Sequence, residues 1–265
     1  MRVVHQCNAI IAFLAAFPGW HTAVVKTAFF ANKSTVDEIR RRFDADVERF
    51  SQLETGQRAT IDAPLVLDLV AASARTHVPA DGVILDLGCG AGNFTLKLME
   101  STGPLRCHLV DLSEPMLERA AQRVRGAGAR SVCVYRSDVR QLSLPEQTFD
   151  VVVAGAVLHH LRTESEWNEV FVRVWKWLKV GGRFYVADLV TFDDPEADAL
   201  MWKRYGEYLE GLGGPEYREK VFRYIDQEDT PQSLPFQVAT LQKAGFQAYD
   251  ILHRNSVFAC YFARK

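Results

Sequence analysis

Three glycines alternate over five positions, Gly88, Gly90 and Gly92, and an acid, Asp86, stands two residues ahead of the first. Before them, Val83 to Leu85 and Leu87 read as a buried parallel strand. After them, Phe94, Leu96, Leu98 and Met99 mark the inner side of a helix. A strand, a glycine turn and a helix in that order put free backbone N–H groups where a ligand can approach the chain closely. The dinucleotide fingerprint G-x-G-x-x-G seats a pyrophosphate on such a helix start. Here the third glycine comes one position early, and the Asp86 carboxylate beside the turn would repel a phosphate and attract an ammonium. The stretch therefore points to a nucleotide-like ligand with a cationic end.

Other residues could act with it. Asp111 lies about twenty residues past the turn, at the end of a second apolar strand, where a carboxylate can accept both hydroxyls of a ribose. Asp138 follows a third strand, in SDVRQL. An imidazole pair, His159-His160, follows a fourth, in AVLHHLRTE. The five cysteines are scattered, with no C-x-x-C pair, so neither a zinc site nor a disulfide framework is indicated. No metal is expected, and reduced cysteines in apolar runs point to the cytoplasm. A net charge of −2 excludes the global basic field that dominates non-specific nucleic-acid binding.

The elements that must position these residues alternate regularly. Helices are expected over 34–50, with the Thr35-x-x-Glu38 capping pattern, and over 63–74. Strands are expected at 107–110, 131–135, 149–153 and 183–190, with helices at 115–125 and 164–179 between them and Gly181-Gly182 as the stop of the latter. Short strands alternating with helices give an α/β, doubly wound, mostly parallel sheet, with ligands at the carboxyl ends of the strands. Residues 191–232 interrupt the alternation as a helical cap insertion, with helices at 195–210 and 215–224 separated by Gly211, Gly213 and Gly214. Its aromatic side, Met201, Trp202, Tyr205 and Tyr208, is expected to pack the cap onto the body. Thr230-Pro231 is expected to open a helix that stops at Gly245. Strands at 249–253 and 257–263, joined by Arg254-Asn255-Ser256, make a terminal hairpin that puts one antiparallel strand into the sheet. The chain divides into an extension over 1–31, disordered or peripheral; a helical cover over 32–80; and the main domain over 81–265. The apolar run Ala9 to Phe17 is too short to span a bilayer, and no membrane partner is expected.

Residues 82–190, with DLGCGAG, VDLSEPML, SDVRQL, FDVVVAGAVLHHL and LKVGGRFYVADL, resemble the class I (Rossmann-like) S-adenosylmethionine-dependent methyltransferases, in the broad group that includes the ubiquinone/menaquinone C-methyltransferases. That cofactor has a cationic amino-acid end and no phosphate. The resemblance implies that Asp86, Gly88, Gly90 and Gly92 cradle its methionine end and that Asp111 takes the ribose. Leu112 and Met116 would pack on the adenine faces. Asp138 and the Val139 backbone would meet the adenine edge, and Ala154 and Gly155 leave room for the sulfonium. In such an enzyme a base is needed only if the acceptor loses a proton. His159 and His160 are the candidates, although an HH pair in this place is often structural in the family.

A narrower resemblance, to carboxy-S-adenosylmethionine synthases of tRNA wobble-uridine modification, rests on FDADVERF, DDPEADALM, EDTP and LQKAGF. Two departures weigh against that activity. The family's asparagine after the fourth strand corresponds to Gly155, and its insertion arginine falls near Glu210, where a glutamate would repel the extra carboxylate. A gapped register could instead place Lys203-Arg204 there. The expectation is therefore a methyltransferase acting on a small-molecule acceptor ahead of tRNA, with homodimerisation left open. A synthase-like activity and a non-catalytic cofactor-binding module are the alternatives. A tRNA substrate would need Arg40 to Arg42, Lys203, Arg204, Arg218 and Lys220 to converge.

Overall fold

A computed structural model describes residues 33–52 and 57–265. The expected extension over 1–31 lies outside them. Two short helices, α1 (Val36–Ala45) and α2 (Val47–Ser51), precede α3 (Ala63–Arg75). The alternation then runs β1 (Val83–Leu87), α4 (Asn93–Thr102), β2 (Arg106–Asp111), α5 (Glu114–Gly126), β3 (Ser131–Arg136), β4 (Phe149–Gly155), α6 (Glu164–Trp177) and β5 (Leu178–Leu189). The cap α7 (Pro195–Glu228), α8 (Leu234–Ala244), β6 (Ala248–Asn255) and β7 (Phe258–Arg264) complete the chain.

The seven strands form one sheet of order β3-β2-β1-β4-β5-β7-β6. Strands β1 to β5 are parallel, and β7 pairs antiparallel with both β5 and β6. The fold is thus the doubly wound, mostly parallel sheet expected from the alternation. Its centre is apolar on both faces: Ile84, Leu85, Leu87, Val151, Val152 and Val153 are fully buried. A strand covered on both sides has to be continuously apolar, and this is why Asp86, inside such a run, stands out.

The cap packs as its aromatic side predicts. Tyr205 and Leu209 are buried against Ile61, Leu189 and Val257, with Met201, Trp202 and Tyr208 alongside. The Tyr205 and Tyr208 hydroxyls donate to the carbonyls of Ala59 and Arg58 at 3.0 and 2.8 Å. The α7 run is broken at Gly213 and Gly214, where φ/ψ leave the helical region, and its second part continues to Glu228, four residues beyond the expected end.

Three boundaries differ for identifiable reasons. The 34–50 helix is interrupted at Asp46, which caps α1 and opens α2. Gly181-Gly182 do not stop α6, which already ends at Trp177. Leu178 turns extended and pairs with Phe149, and the two glycines lie inside β5. Gly181, at φ +80°, is in the left-handed region, and its N–H donates to the Lys265 carbonyl at 3.0 Å. The glycines therefore serve the irregular pairing with β4 and the chain terminus. Thr230-Pro231 precede α8 without starting it; Ser233 is its cap, accepting from the Phe236 N–H, with Pro235 in the first turn. In the terminal hairpin, the Ser256-Val257 link comes slightly later than the sequence indicates, with Ser256 at φ +51°. Among the described residues, no helix is long and apolar enough to cross a membrane.

Candidate functional site

Two cavities adjoin at the carboxyl ends of the parallel strands. The first runs from the glycine turn across the ends of β2 and β3 to the loop after β4. The second lies beneath the cap, between α2, the start of α3, the end of β5 and the second half of α7. Phe43, Phe50, Gln57, Phe94 and Ala156 line both. Ala156 has φ +53°, a left-handed value uncommon outside glycine, and its N–H donates to the Ala187 carbonyl at 2.8 Å. Strain of this kind clusters at functional sites.

Most of the residues selected from the sequence converge on the first cavity: Gly88, Gly90, Asp111, Leu112, Met116, Asp138, Val139, Gly155 and His160. Gly88 and Gly90 hold φ +64° and +49°, and a Cβ on Gly88 would strike the Val157 side chain at 2.6 Å. The Asp111 carboxylate bridges turn and helix, accepting the Gly90 N–H at 2.8 Å and the Ser113 N–H at 2.9 Å. Burial raises its pKa against the pull of these backbone donors. A carboxylate so placed still has lone pairs for a ligand's hydroxyls.

Asp86, Gly92 and Ala154 do not line either cavity. Asp86 lies behind the turn, accepting the Thr95 hydroxyl at 2.7 Å, and burial raises its pKa to about 7. Gly92 caps α4 at φ +84°, and a Cβ there would press on Ala120 of α5 at 3.3 Å, so its role is helix packing. Asp138 lines the cavity, but Arg140 already occupies its carboxylate. The Arg140 N–H, Nε and Nη2 all donate to it, the shortest at 2.6 Å. Burial would raise the Asp138 pKa, but the Arg140 guanidinium lowers it overall. Any contact with an adenine edge must share the carboxylate with that guanidinium.

The helical cover is tied down over the cavities. Arg42 of α1 grips Glu228 at the end of α7 through three contacts of 2.7 to 3.0 Å, between the rings of Phe43 and Tyr224. Lys33 donates to the carbonyls of Asp226 and Asp229 at 2.5 and 2.6 Å. Asn93, at the glycine turn, donates to the Phe50 carbonyl at 3.1 Å.

The imidazole pair lies in the wall between the cavities, on a single 3-10 turn, Leu158–His160. His160 faces the first cavity and His159 the second. The Nδ1 of His159 is hydrogen-bonded to Asp188, whose carboxylate also accepts the Leu158 and Leu189 N–H groups at 2.7 Å each. Asp229 stands on the other side, 3.6 Å from His159 Nε2 and 3.3 Å from His160 Nδ1. Burial alone would lower the His159 pKa, but Asp188 and Asp229 outweigh it and raise it to about 9. Burial and the neighbouring His159 push His160 well down, and burial raises Asp229 to about 7.

Asp188 and Asp229 were not singled out from the sequence. Asp188 sits at a strand end like Asp111, so the same criterion would have found it. Asp229 is in the EDTP stretch, but only its place beside the imidazoles, seventy residues distant in sequence, shows its use. Glu210 faces neither cavity and pairs with Arg218 at 2.6 Å, so it cannot repel a ligand carboxylate, and the argument drawn from it against synthase activity fails. Of the cations considered for RNA, Arg40 and Arg41 pair with Asp37, Arg40 also with Asp44, Arg42 with Glu228 and Lys203 with Glu207.

This strand order, with the reversed β7 lying between β5 and β6 and an acid-flanked glycine turn at the end of β1, is a Rossmann-like α/β fold. The chain is similar to the class I, Rossmann-like S-adenosylmethionine-dependent methyltransferases. Residues 84–182 match the family described as "Methyltransferase domain". The chain is 28% identical over 187 residues to a demethylmenaquinone methyltransferase of Lactococcus lactis, covering 69% of this chain and 73% of that one. It is 25% identical over 209 residues to a carboxy-S-adenosyl-L-methionine synthase of Erwinia tasmaniensis, covering 77% and 82%. Among solved structures, a putative O-methyltransferase of Nostoc punctiforme superposes with a TM-score of 0.63 at 15% identity, over 91% of this chain and 67% of that one. At that identity the superposition speaks for the fold alone.

Proposed function

We propose that this chain transfers the methyl group of S-adenosylmethionine, seated in the first cavity, to a small, largely apolar acceptor in the second. The observation that supports this reading is the adjacency of the two cavities, which share Phe43, Phe50, Gln57, Phe94 and Ala156 as lining residues. The residues fit the cofactor. Asp111 offers a buried, backbone-oriented carboxylate to the ribose hydroxyls, Leu112 and Met116 flank the adenine faces, and Gly88 and Gly90 bring main chain to the methionine end. Gly155 leaves the space beside it to Phe94, and Asp138 with Val139 meets the adenine edge in company with Arg140.

S-adenosylmethionine supplies an already activated methyl on a sulfonium. What remains for the protein is alignment and exclusion of water. The cover of α1 and α2, fastened through Arg42 and Lys33, excludes water. Phe43, Phe50, Tyr205, Tyr224 and Phe258 give the second cavity an aromatic wall suited to a flat apolar body. At its polar end stand His159, Asp188 and Asp229, where a nucleophilic hydroxyl or amine of the acceptor would lie. Demethylmenaquinone, in the name of the Lactococcus relative, supports an acceptor of phenol or quinol type. The acid-paired surface arginines favour such an acceptor over tRNA.

The test begins with mass spectrometry of the ligand retained by the purified protein, with and without added prephenate. Unmodified cofactor or S-adenosylhomocysteine in both cases supports methyl transfer, whereas a carboxylated cofactor would assign the chain to the synthases. A panel of phenols and quinols is then screened for S-adenosylhomocysteine formation. Val221→Trp, which fills the second cavity from α7, should abolish turnover and leave S-adenosylhomocysteine affinity unchanged. Turnover that survives this substitution would place the acceptor elsewhere.

A further inference from the structure

Three electron-pair donors converge in the wall between the cavities. His159, His160 and Asp229 each bring one ligand-type atom to within 4.8 Å of the others. Asp229 Oδ1 and both ring nitrogens of His160 are buried and find no hydrogen-bond partner among the described residues. The Asp229 side chain is only 3% exposed. An unpaired buried carboxylate oxygen is costly, and three polar atoms together in that condition call for a positive charge among them.

Asp188 fixes the geometry further. It is held by two backbone N–H groups and engages Nδ1 of His159, so a neutral His159 turns the lone pair of Nε2 toward Asp229. A proton at the centre serves two of the three donors, whereas a divalent ion serves all three. Separations of 3.3 and 3.6 Å between donor atoms suit ligands about 2.0–2.2 Å from a common metal.

We propose that His159, His160 and Asp229 hold a divalent first-row transition cation, with Asp188 as the residue that positions His159. Two imidazoles and one carboxylate, without a thiolate, suit zinc, iron(II) or cobalt(II) better than magnesium or calcium. A carboxylate behind a ligating imidazole is the usual support of such a site. Three protein ligands leave coordination positions open. His159 and Asp229 face the second cavity, so an acceptor oxygen entering there would reach the ion and give up its proton to solvent at lower pH than when free. The ion site is independent of the methyl-transfer reading, and only its use on an acceptor rests on that reading.

The full chain, stripped with a chelator and dialysed, is titrated with Co²⁺ and followed by visible absorption and calorimetry. One equivalent should bind, with ligand-field bands in the visible, and Zn²⁺ should displace it. Asp229→Asn and His160→Ala should each remove stoichiometric binding, and Asp188→Asn should weaken it about 10–100-fold. The wild-type melting temperature should rise with Co²⁺ concentration, a reading that needs no variant. No stoichiometric binding to the wild type up to about 1 mM, or unchanged affinity in Asp229→Asn, would overturn the site. S-adenosylhomocysteine titrated into the metal-free protein separates the two readings. Its binding without cobalt binding defeats the metal site alone, and cobalt binding without it defeats the cofactor reading alone.

Discussion

Gly155→Ala isolates the geometry on which the two-cavity reading depends. Gly155 ends β4, beside the junction of the cavities, and its φ lies outside the left-handed region, so alanine meets no backbone strain there. The added methyl would lie 2.1 Å from Cε2 of Phe94 and 2.6 Å from its Cδ2. Ordinary contact begins at 3.4 Å, so the ring must retreat by about 1.3 Å. Phe94 borders both cavities, so a retreat carries it toward the ligand positions. Overpacking of this kind costs about 1–3 kcal/mol. If the ring moves into the cavity, that cost appears in ligand binding as a loss of about 5–150-fold in affinity for S-adenosylhomocysteine, at about 1.4 kcal/mol per tenfold. The melting temperature of the ligand-free protein should change little. Calorimetric titration and a thermal melt measure the two effects separately. Phe94→Leu in the same chain removes the clashing ring edge and should restore most of the affinity. Wild-type affinity in Gly155→Ala, or no recovery in the double variant, would refute the assignment of Phe94 as the shared wall.

Two further outcomes follow from the same contacts. Arg42→Ala leaves Glu228, only 7% exposed, without its bidentate partner and releases α1 from the end of α7. Because Arg42 is itself partly exposed, the loss should be about 1–3 kcal/mol, below that of a fully buried pair. A fall of several degrees in melting temperature, with weaker S-adenosylhomocysteine binding, is expected, and an unchanged melt would show that the cover is not anchored there. His77, far from the site, stacks near Tyr185 and is held by burial at a pKa of about 4. The unfolded chain takes up this proton near pH 6.5 and the folded one only near 4, so stability falls as pH drops through that window. Melts from pH 7 to 4 should show a shallower acid loss in His77→Gln than in the wild type; equal slopes would remove His77 from the acid response.

The glycine turn, the strand-end acids and the alternation of parallel strands with helices could be read from the chain because each is a local device. A φ that only glycine tolerates, a doubly buried apolar strand and an N-cap all leave their signatures within a few residues. Asp111 and Gly155 belong to this legible part, as does the aromatic face of the cap. The boundaries around Gly181-Gly182 and Thr230-Pro231 were not legible. There, pairing with β4 and with Lys265, and capping by Ser233, override signals that in isolation read as a helix stop and a helix start.

The sequence by itself determined the sheet, the nucleotide-type turn and most of the residues that face the first cavity. Tertiary structure decided what those residues are free to do. It turned Asp86 away from the cavity, committed Asp138 to Arg140 and set Glu210 against Arg218. It also brought Asp229 and Asp188 to the two imidazoles. Those outcomes depend on contacts between segments distant in the chain, between β5, the end of α7 and the loop after β4. A side chain's partners across such distances are set by packing of the whole domain, and no local spacing records them.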